Sequence, residues 1–178
     1  MAACALLAVA AVSCDSSDDA GKETFFERME INYVYAVSED LLSVADIKIT
    51  YTDPEQGGQV KTEDMKEGSW SKKFQIKNFP VSLNVTVAAA LKKDVVLDKA
   101  KYSLTNEVTT DFREFRNDGK VYWFQGPDTE RTTSVVEVEE GNPDAVPQGV
   151  AAAIAQMNKT YSYTVTRNGN NFVVTTGK

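Results

Sequence analysis

The chain has 178 residues, a formal net charge of −7 and a sequence pI near 4.7, so it offers no basic face to neutralise phosphates and a nucleic-acid partner is not expected. Histidine is absent and the only cysteines are Cys4 and Cys14, which excludes a Cys/His zinc site, a Ser-His-Asp triad, a cysteine nucleophile and a disulfide in the rest of the chain. With 42% hydrophobic residues spread along it, a chain of this length forms one domain that buries about two-thirds of its unfolded surface without disulfide staples.

Residues Ala2 to Val12 form an apolar run of signal-peptide length, too short to span a bilayer as a helix. Small residues lead into a cysteine in Ala11-Val12-Ser13-Cys14. This resembles the lipobox of bacterial lipoproteins, where a small residue stands just before the acylated cysteine. The resemblance implies a signal peptide over residues 1–13, cleavage before Cys14 and thioether lipidation of Cys14, with the membrane as partner. Each buried methylene contributes about 0.8 kcal/mol, so two or three acyl chains hold such a protein durably. No Lys or Arg precedes Lys22, and the basic start of such a leader is expected further upstream.

After Cys14 the composition changes abruptly. Asp15-Ser-Ser-Asp-Asp-Ala-Gly-Lys-Glu has no apolar side chain large enough to offset the entropy of ordering, so residues 14–28 read as a flexible acidic tether. Asp15, Asp18 and Asp19 also resemble the export signal of Bacteroidetes-type surface lipoproteins, which implies transfer to the outer face of the outer membrane; a plain spacer accounts for the same acids.

From Met29 to residue 178 the chain alternates apolar and polar residues in short runs, the pattern of strands with one buried face. Met29, Ile31, Tyr33, Tyr35 and Val37 form one stripe, and Ile47, Ile49 and Tyr51 a second that Asp53-Pro54 and Gly57-Gly58 terminate. Trp70, Phe74 and Ile76 form a third. The longest alternation joins Val81, Leu83, Val85, Val87, Ala89 and Leu91. Strands follow over 108–115 and, across an Asn117-Asp118-Gly119 turn, over 121–124, which Gly126-Pro127-Asp128 closes; another covers 131–138. Tyr161, Tyr163 and Val165 pair through Asn168-Gly169-Asn170 with 172–176 as a last hairpin, for nine or ten strands in all. Pro147 to Asn158 breaks the pattern: Val150, Ile154 and Met157 share one face of a short helix that caps the core.

Many short strands, one helix and no βαβ rhythm predict an all-β fold, an antiparallel immunoglobulin-like β-sandwich with one short inserted helix near the C-terminus; a barrel is the other candidate. Leader, acidic tether and one such domain resemble the small β-sandwich lipoproteins of Bacteroidetes-type bacteria. That likeness is one of layout and implies location and fold.

Tyr122-Trp123-Phe124 are the candidate ligand-binding residues, because flat rings supply contact area at little entropic cost. Neighbours in a strand face opposite ways, so Tyr122 and Phe124 share one face, Val121 and Trp123 the other, and one set is partly exposed unless the strand is covered twice. The competing arrangement puts Trp123 in the inter-sheet core with Trp70. Carboxylates are the one available source of acid/base chemistry, but Asp111, Glu114, Glu137, Glu139 and Glu140 alternate as a solvated face, so no catalytic residue is assigned. Asn117-Asp118-Gly119 and Asn142-Pro143-Asp144 lack the spaced carboxylates of a calcium loop, and neither metal nor cofactor is expected. The expected function is a non-enzymatic, lipid-anchored surface binding or accessory module for a glycan or protein ligand; the alternative is a fimbrial or envelope-assembly subunit, and a carboxylate-dependent hydrolase ranks behind both.

Overall fold

The computed structural model describes residues 23–137, 145–169 and 171–177. Among them the strands are β1 (Phe26–Val37), β2 (Ala45–Asp53), β3 (Gln59–Met65), β4 (Ser69–Ile76), β5 (Val81–Leu91), β6 (Lys101–Arg116), β7 (Val121–Glu137), β8 (Lys159–Asn168) and β9 (Asn171–Gly177), with helices α1 (Glu39–Val44) and α2 (Ala145–Gln156). Every pairing is antiparallel. One sheet has the order β4-β1-β6-β7 and the other β3-β2-β5-β8-β9. The fold is therefore the all-β sandwich that the alternation predicts. β1 lies beside β4 while β2 lies beside β5, the interlocked pairing that strands B, E, C and F make in immunoglobulin-type sandwiches.

The core is built from the predicted stripes. Met29, Ile31, Tyr33 and Tyr35 from one sheet meet Ile47, Ile49, Tyr51, Leu83, Val85 and Val87 from the other, all buried. Successive strand residues point to opposite faces, so these positions are fixed together once one register is fixed. Two of the phenols that enter this core are hydrogen-bonded within it: the Tyr163 hydroxyl donates to Thr110 Oγ1 at 3.0 Å, and Asn106 Nδ2 donates to the Tyr35 hydroxyl at 3.3 Å, whereas the Tyr33 hydroxyl is buried with no hydrogen-bond partner among the described residues.

Several boundaries differ from the sequence reading, each for a packing reason. β1 begins at Phe26, so residues 26–28, read as tether, are strand. The Phe26 ring is buried 3.9 Å from the Phe172 ring and 5.7 Å from that of Phe79, contacts remote in sequence. β7 runs unbroken through Gly126-Pro127, which the sequence reading took as a terminator. It is an edge strand, where a proline removes no needed donor, and the ladder to β6 shifts register near Phe112 to accommodate the change. β6 starts at Lys101, well before Val108. α1 and β3 were not predicted. α1 is six residues long, capped by Ser38, whose Oγ accepts from the Leu41 amide, and it buries Leu41 and Val44. β3 is an edge strand that buries only Met65, so it carries no alternating apolar signal.

α2 starts two residues before the predicted helix and buries Val146, Val150, Ala153 and Ile154 against β5, β6 and β7. Gly149 makes this approach possible, because a Cβ there would lie 2.9 Å from Val136 Cγ1.

Because all neighbours are antiparallel, the turns sort to two ends. The start of β1, the turn at 54–58, the connection 77–80, the β6–β7 hairpin and the turn at Gly169 lie at one, called here the lower end. α1, the connection 92–100 and α2 lie at the upper.

A polar latch closes the side where β3 and β4 are the edges. The Tyr51 hydroxyl donates to Glu63 Oε1 at 2.6 Å, Trp70 Nε1 donates to Oε2 at 2.9 Å, and Lys72 Nζ lies 2.8 Å from Oε1. Lys72, Tyr51 and Trp70 together hold the Glu63 carboxyl down to about 2, while burial and then the Glu63 contact push the Tyr51 phenol up to about 12. The latch thus joins the two sheets through one ionised carboxylate.

Two expected outcomes test this packing. Ile31→Ala, at a fully buried position, lowers unfolding stability by about 2–5 kcal/mol in urea titration, whereas Val60→Ala on the exposed edge changes it by less than about 0.5 kcal/mol. The Glu63 carboxyl is depressed on folding, so its contribution is complete above its ordinary range and fades as pH falls toward about 2. In a Trp123→Phe background, Trp70 fluorescence reports that acid transition. Glu63→Gln removes the dependence; an unchanged acid limb in Glu63→Gln would show that the latch does not couple to stability.

Candidate functional site

The predicted aromatic group lies at the start of β7, where the β6–β7 hairpin forms the lower end. Asp118 Oδ1 accepts from the Lys120 amide at 2.9 Å, and Gly119 closes the turn at φ 78°, a conformation that favours glycine. The hairpin is tied to the chain entering β1: Asn117 Oδ1 accepts from the Phe25 amide at 2.9 Å, the Asn117 amide donates to the Phe25 carbonyl at 3.1 Å, and Asn117 Nδ2 donates to the Glu23 carbonyl at 3.1 Å.

Val121 stands opposite Phe115 and Tyr122 opposite Glu114, so the two neighbours face opposite ways, and both are exposed, at 47% and 44%. The Arg116 guanidinium sits 5.0 Å from the Tyr122 ring centroid while its Nε lies 2.6 Å from Glu114 Oε1. On the outer face Arg28 covers the Phe115 ring at 4.1 Å. The side chains of Trp123 and Phe124 lie outside the described residues, as do Cys14, Glu139, Glu140 and the Asn142-Pro143-Asp144 turn. Trp70, the core companion suggested for Trp123, is in the latch.

The structure separates the carboxylates that the sequence groups together. Asp111 is on the outer face of β6, its Oδ2 accepting from Asn32 Nδ2 at 3.1 Å and its Oδ1 3.3 Å from Arg113 Nε, an ion pair rather than an aligned hydrogen bond. Glu30 beside it meets Lys73 at 3.3 Å and Arg113 at 3.8 Å. Both acids are buried although they lie on a sheet's outer face. Glu114 is buried as well, opposite core residue Met29 on the inner face and held by Arg116, so neither it nor Asp111 belongs to the solvated face that the alternation predicts; Glu137 is exposed and paired with Lys101 at 2.6 Å. Among the described residues no three His, Cys, Asp or Glu side chains are grouped to hold a metal ion, and no helix is long and apolar enough to cross a membrane.

A groove of about 430 Å³ opens at the upper part of the β4-β1-β6-β7 sheet, lined by Ala36, Ser38, Ser103, Thr105, Glu107 and Arg131 among others. Ser38 shapes one wall: its Oγ donates to the Ser103 carbonyl at 2.9 Å and accepts from the Thr105 amide at 3.0 Å. Asp40 braces the same corner, accepting from Lys99 Nζ at 2.6 Å and from the Ser103 amide at 2.7 Å. These contacts, led by that from Lys99, hold its carboxyl below the usual carboxylate range. Glu107 and Arg131 stand directly opposite each other across β6 and β7. Sequence reasoning missed this groove because hydroxyl side chains alternating on strands look the same on any solvated sheet; only strand pairing brings them together.

Comparison with protein-family models, with curated proteins and with solved structures found no match.

The charge arrangement has a measurable consequence. Arg113→Ala leaves Glu30 and Asp111 buried with only Lys73 and Asn32 nearby and is expected to cost about 2 kcal/mol in a urea titration. Lys101→Ala, which removes a fully exposed pair, leaves the midpoint unchanged. Equal effects of the two substitutions would contradict the inequality drawn from burial.

Proposed function

We propose that the protein is a lipid-anchored envelope component, held in the bacterial outer membrane through acylated Cys14 and facing outward, and that it acts as a non-enzymatic binding or accessory module. The observation that carries this reading is the opposition of two ends. The chain following Cys14 enters β1 at the lower end, and the hydroxyl-rich groove lies toward the upper end. A protein tethered by the first would present the second to its surroundings. The groove offers hydroxyls, a carboxylate and a guanidinium and no aromatic ring, which suits a ligand that hydrogen-bonds, a glycan or a polar stretch of protein. Tyr122, Trp123 and Phe124 in this reading lie on the strand that starts at the tethered end.

A second reading, an envelope-assembly subunit that accepts a strand from a neighbour, is favoured by one feature: β7 is 17 residues long and, among the described residues, pairs with β6 alone. A free edge of that kind templates β-augmentation. Pro127 and the charged Glu130 and Arg131 on that edge blunt it in the way monomeric proteins do, so the binding-module reading is preferred.

The test is production of the intact chain in a bacterium, with the mass of the mature N-terminal peptide and protease treatment of whole cells. Acylated Cys14 together with cleavage on intact cells is expected. A free thiol at Cys14, or protection of the domain, would overturn the surface-anchored reading. For the ligand, a glycan array at millimolar concentration is expected to give binding that Arg131→Ala reduces and Trp123→Ala does not.

A further inference from the structure

The described residues include seven large hydrophobic side chains that are exposed: Phe25, Val60, Val96, Val121, Tyr122, Val135 and Val173. Val96 and Val135 are toward the upper end. The other five lie at or within three residues of the turns of the lower end. The hydrogen bonds between Asn117 and the Phe25 backbone described above place Phe25 beside the β6–β7 hairpin that carries Val121 and Tyr122, so two half-exposed rings and a valine stand around the mouth of that hairpin, Val121 and Tyr122 on opposite faces of β7. Isolated exposed apolar residues are ordinary on a monomer, and Val60 and Val173 stand apart on the two edge strands of the five-stranded sheet; the trio of Phe25, Val121 and Tyr122 around one hairpin is what marks a surface that something covers.

The charges at that end point to what covers it. Arg28 pairs with Glu27 at 3.2 Å, Arg116 with Glu114 at 2.6 Å, Lys120 with Asp118 at 3.3 Å and Lys61 with Asp53 at 2.7 Å. In a chain of net charge −7, these described pairs are balanced, so the folded part of this end carries no surplus of basic side chains that would require anionic headgroups. Amphipathic tyrosine and nearby phenylalanine suit the headgroup boundary.

We infer that the lower end is a seat on the membrane surface, in which Phe25, Val121 and Tyr122 enter the headgroup region. The inference rests on the attachment of lipid to Cys14 proposed above. Eight residues lie between Cys14 and Glu23, so the chain joining them has a contour of about 30 Å at most. A tether this short gives an effective concentration on the order of millimolar, so three side chains of weak intrinsic affinity are enough to populate the seated state. Seating then holds the upper groove away from the bilayer.

The mature acylated protein has no free thiol under this reading, since Cys4 leaves with the leader. Val121→Cys and, separately, Val96→Cys therefore accept a nitroxide label at one site each. The labelled protein is placed in phosphatidylcholine vesicles, acylation of Cys14 is checked by mass, and collision rates of the label with oxygen and with a water-soluble nickel complex are measured. The expected result is an oxygen-to-nickel ratio several-fold higher at position 121 than at position 96, unchanged by high salt. Acylated protein with equal ratios at the two positions overturns the seat and leaves the anchor standing. Loss of the ratio in high salt overturns the apolar basis of the seat. Absence of the acyl groups refutes the anchor and, with it, the seat.

Discussion

The inward stripe of β1 is the constraint on which the rest of the fold depends. β1 pairs with β4 on one side and β6 on the other, and Met29, Ile31, Tyr33 and Tyr35 along it are all nearly inaccessible to water. A shift of one residue in either ladder would turn these four side chains to solvent and bring Glu30 and Asn32 inward. Burial of four such side chains is worth several kcal/mol, comparable with the net stability of a domain, so register is dictated by burial and not by any one hydrogen bond. The interlocked strand order follows, because the opposing stripes of β2 and β5 must meet this one face to face.

That constraint explains which parts of the fold were legible in the sequence. Strands with one buried face announce themselves by period two, and the Val81–Leu91 alternation coincides with β5 to the residue. The Asn-Asp-Gly and Asn-Gly turns were legible because their chemistry is local. What escaped prediction is what tertiary contact decides. Phe26 extends β1 because Phe79 and Phe172 lie against it. β3 escapes because an edge strand with exposed faces needs no apolar alternation, and Gly-Pro in β7 misleads because an edge tolerates it. Ser38 could be recognised as a cap only with the six-residue helix already in view. As for the site, Tyr122 was singled out from sequence, but nothing local revealed that Ser38, Thr105, Glu107 and Arg131 line a common groove.

Polar groups divide the surface in a corresponding way. The side at β3 and β4 is closed by Glu63 bridging Tyr51, Trp70 and Lys72, and the upper opening is covered by α2, whose Gly149 lets it lie close to β7. The outer face of the β4-β1-β6-β7 sheet carries buried Glu30 and Asp111 compensated by Arg113, Lys73 and Asn32. These groups order the scaffold. What they leave for recognition is a hydroxyl-lined groove toward one end and an apolar, charge-balanced rim at the other, and a tethered protein uses two such ends differently.

The central claim is this orientation: lipid at Cys14, lower end against the bilayer, upper end outward. Neutron reflectometry of the acylated protein on a supported phosphatidylcholine bilayer tests it most directly. The account predicts a protein layer in direct contact with the headgroups, with no water-filled gap beneath it. A layer held off the bilayer by a hydrated gap, or no retained layer at all, would contradict it.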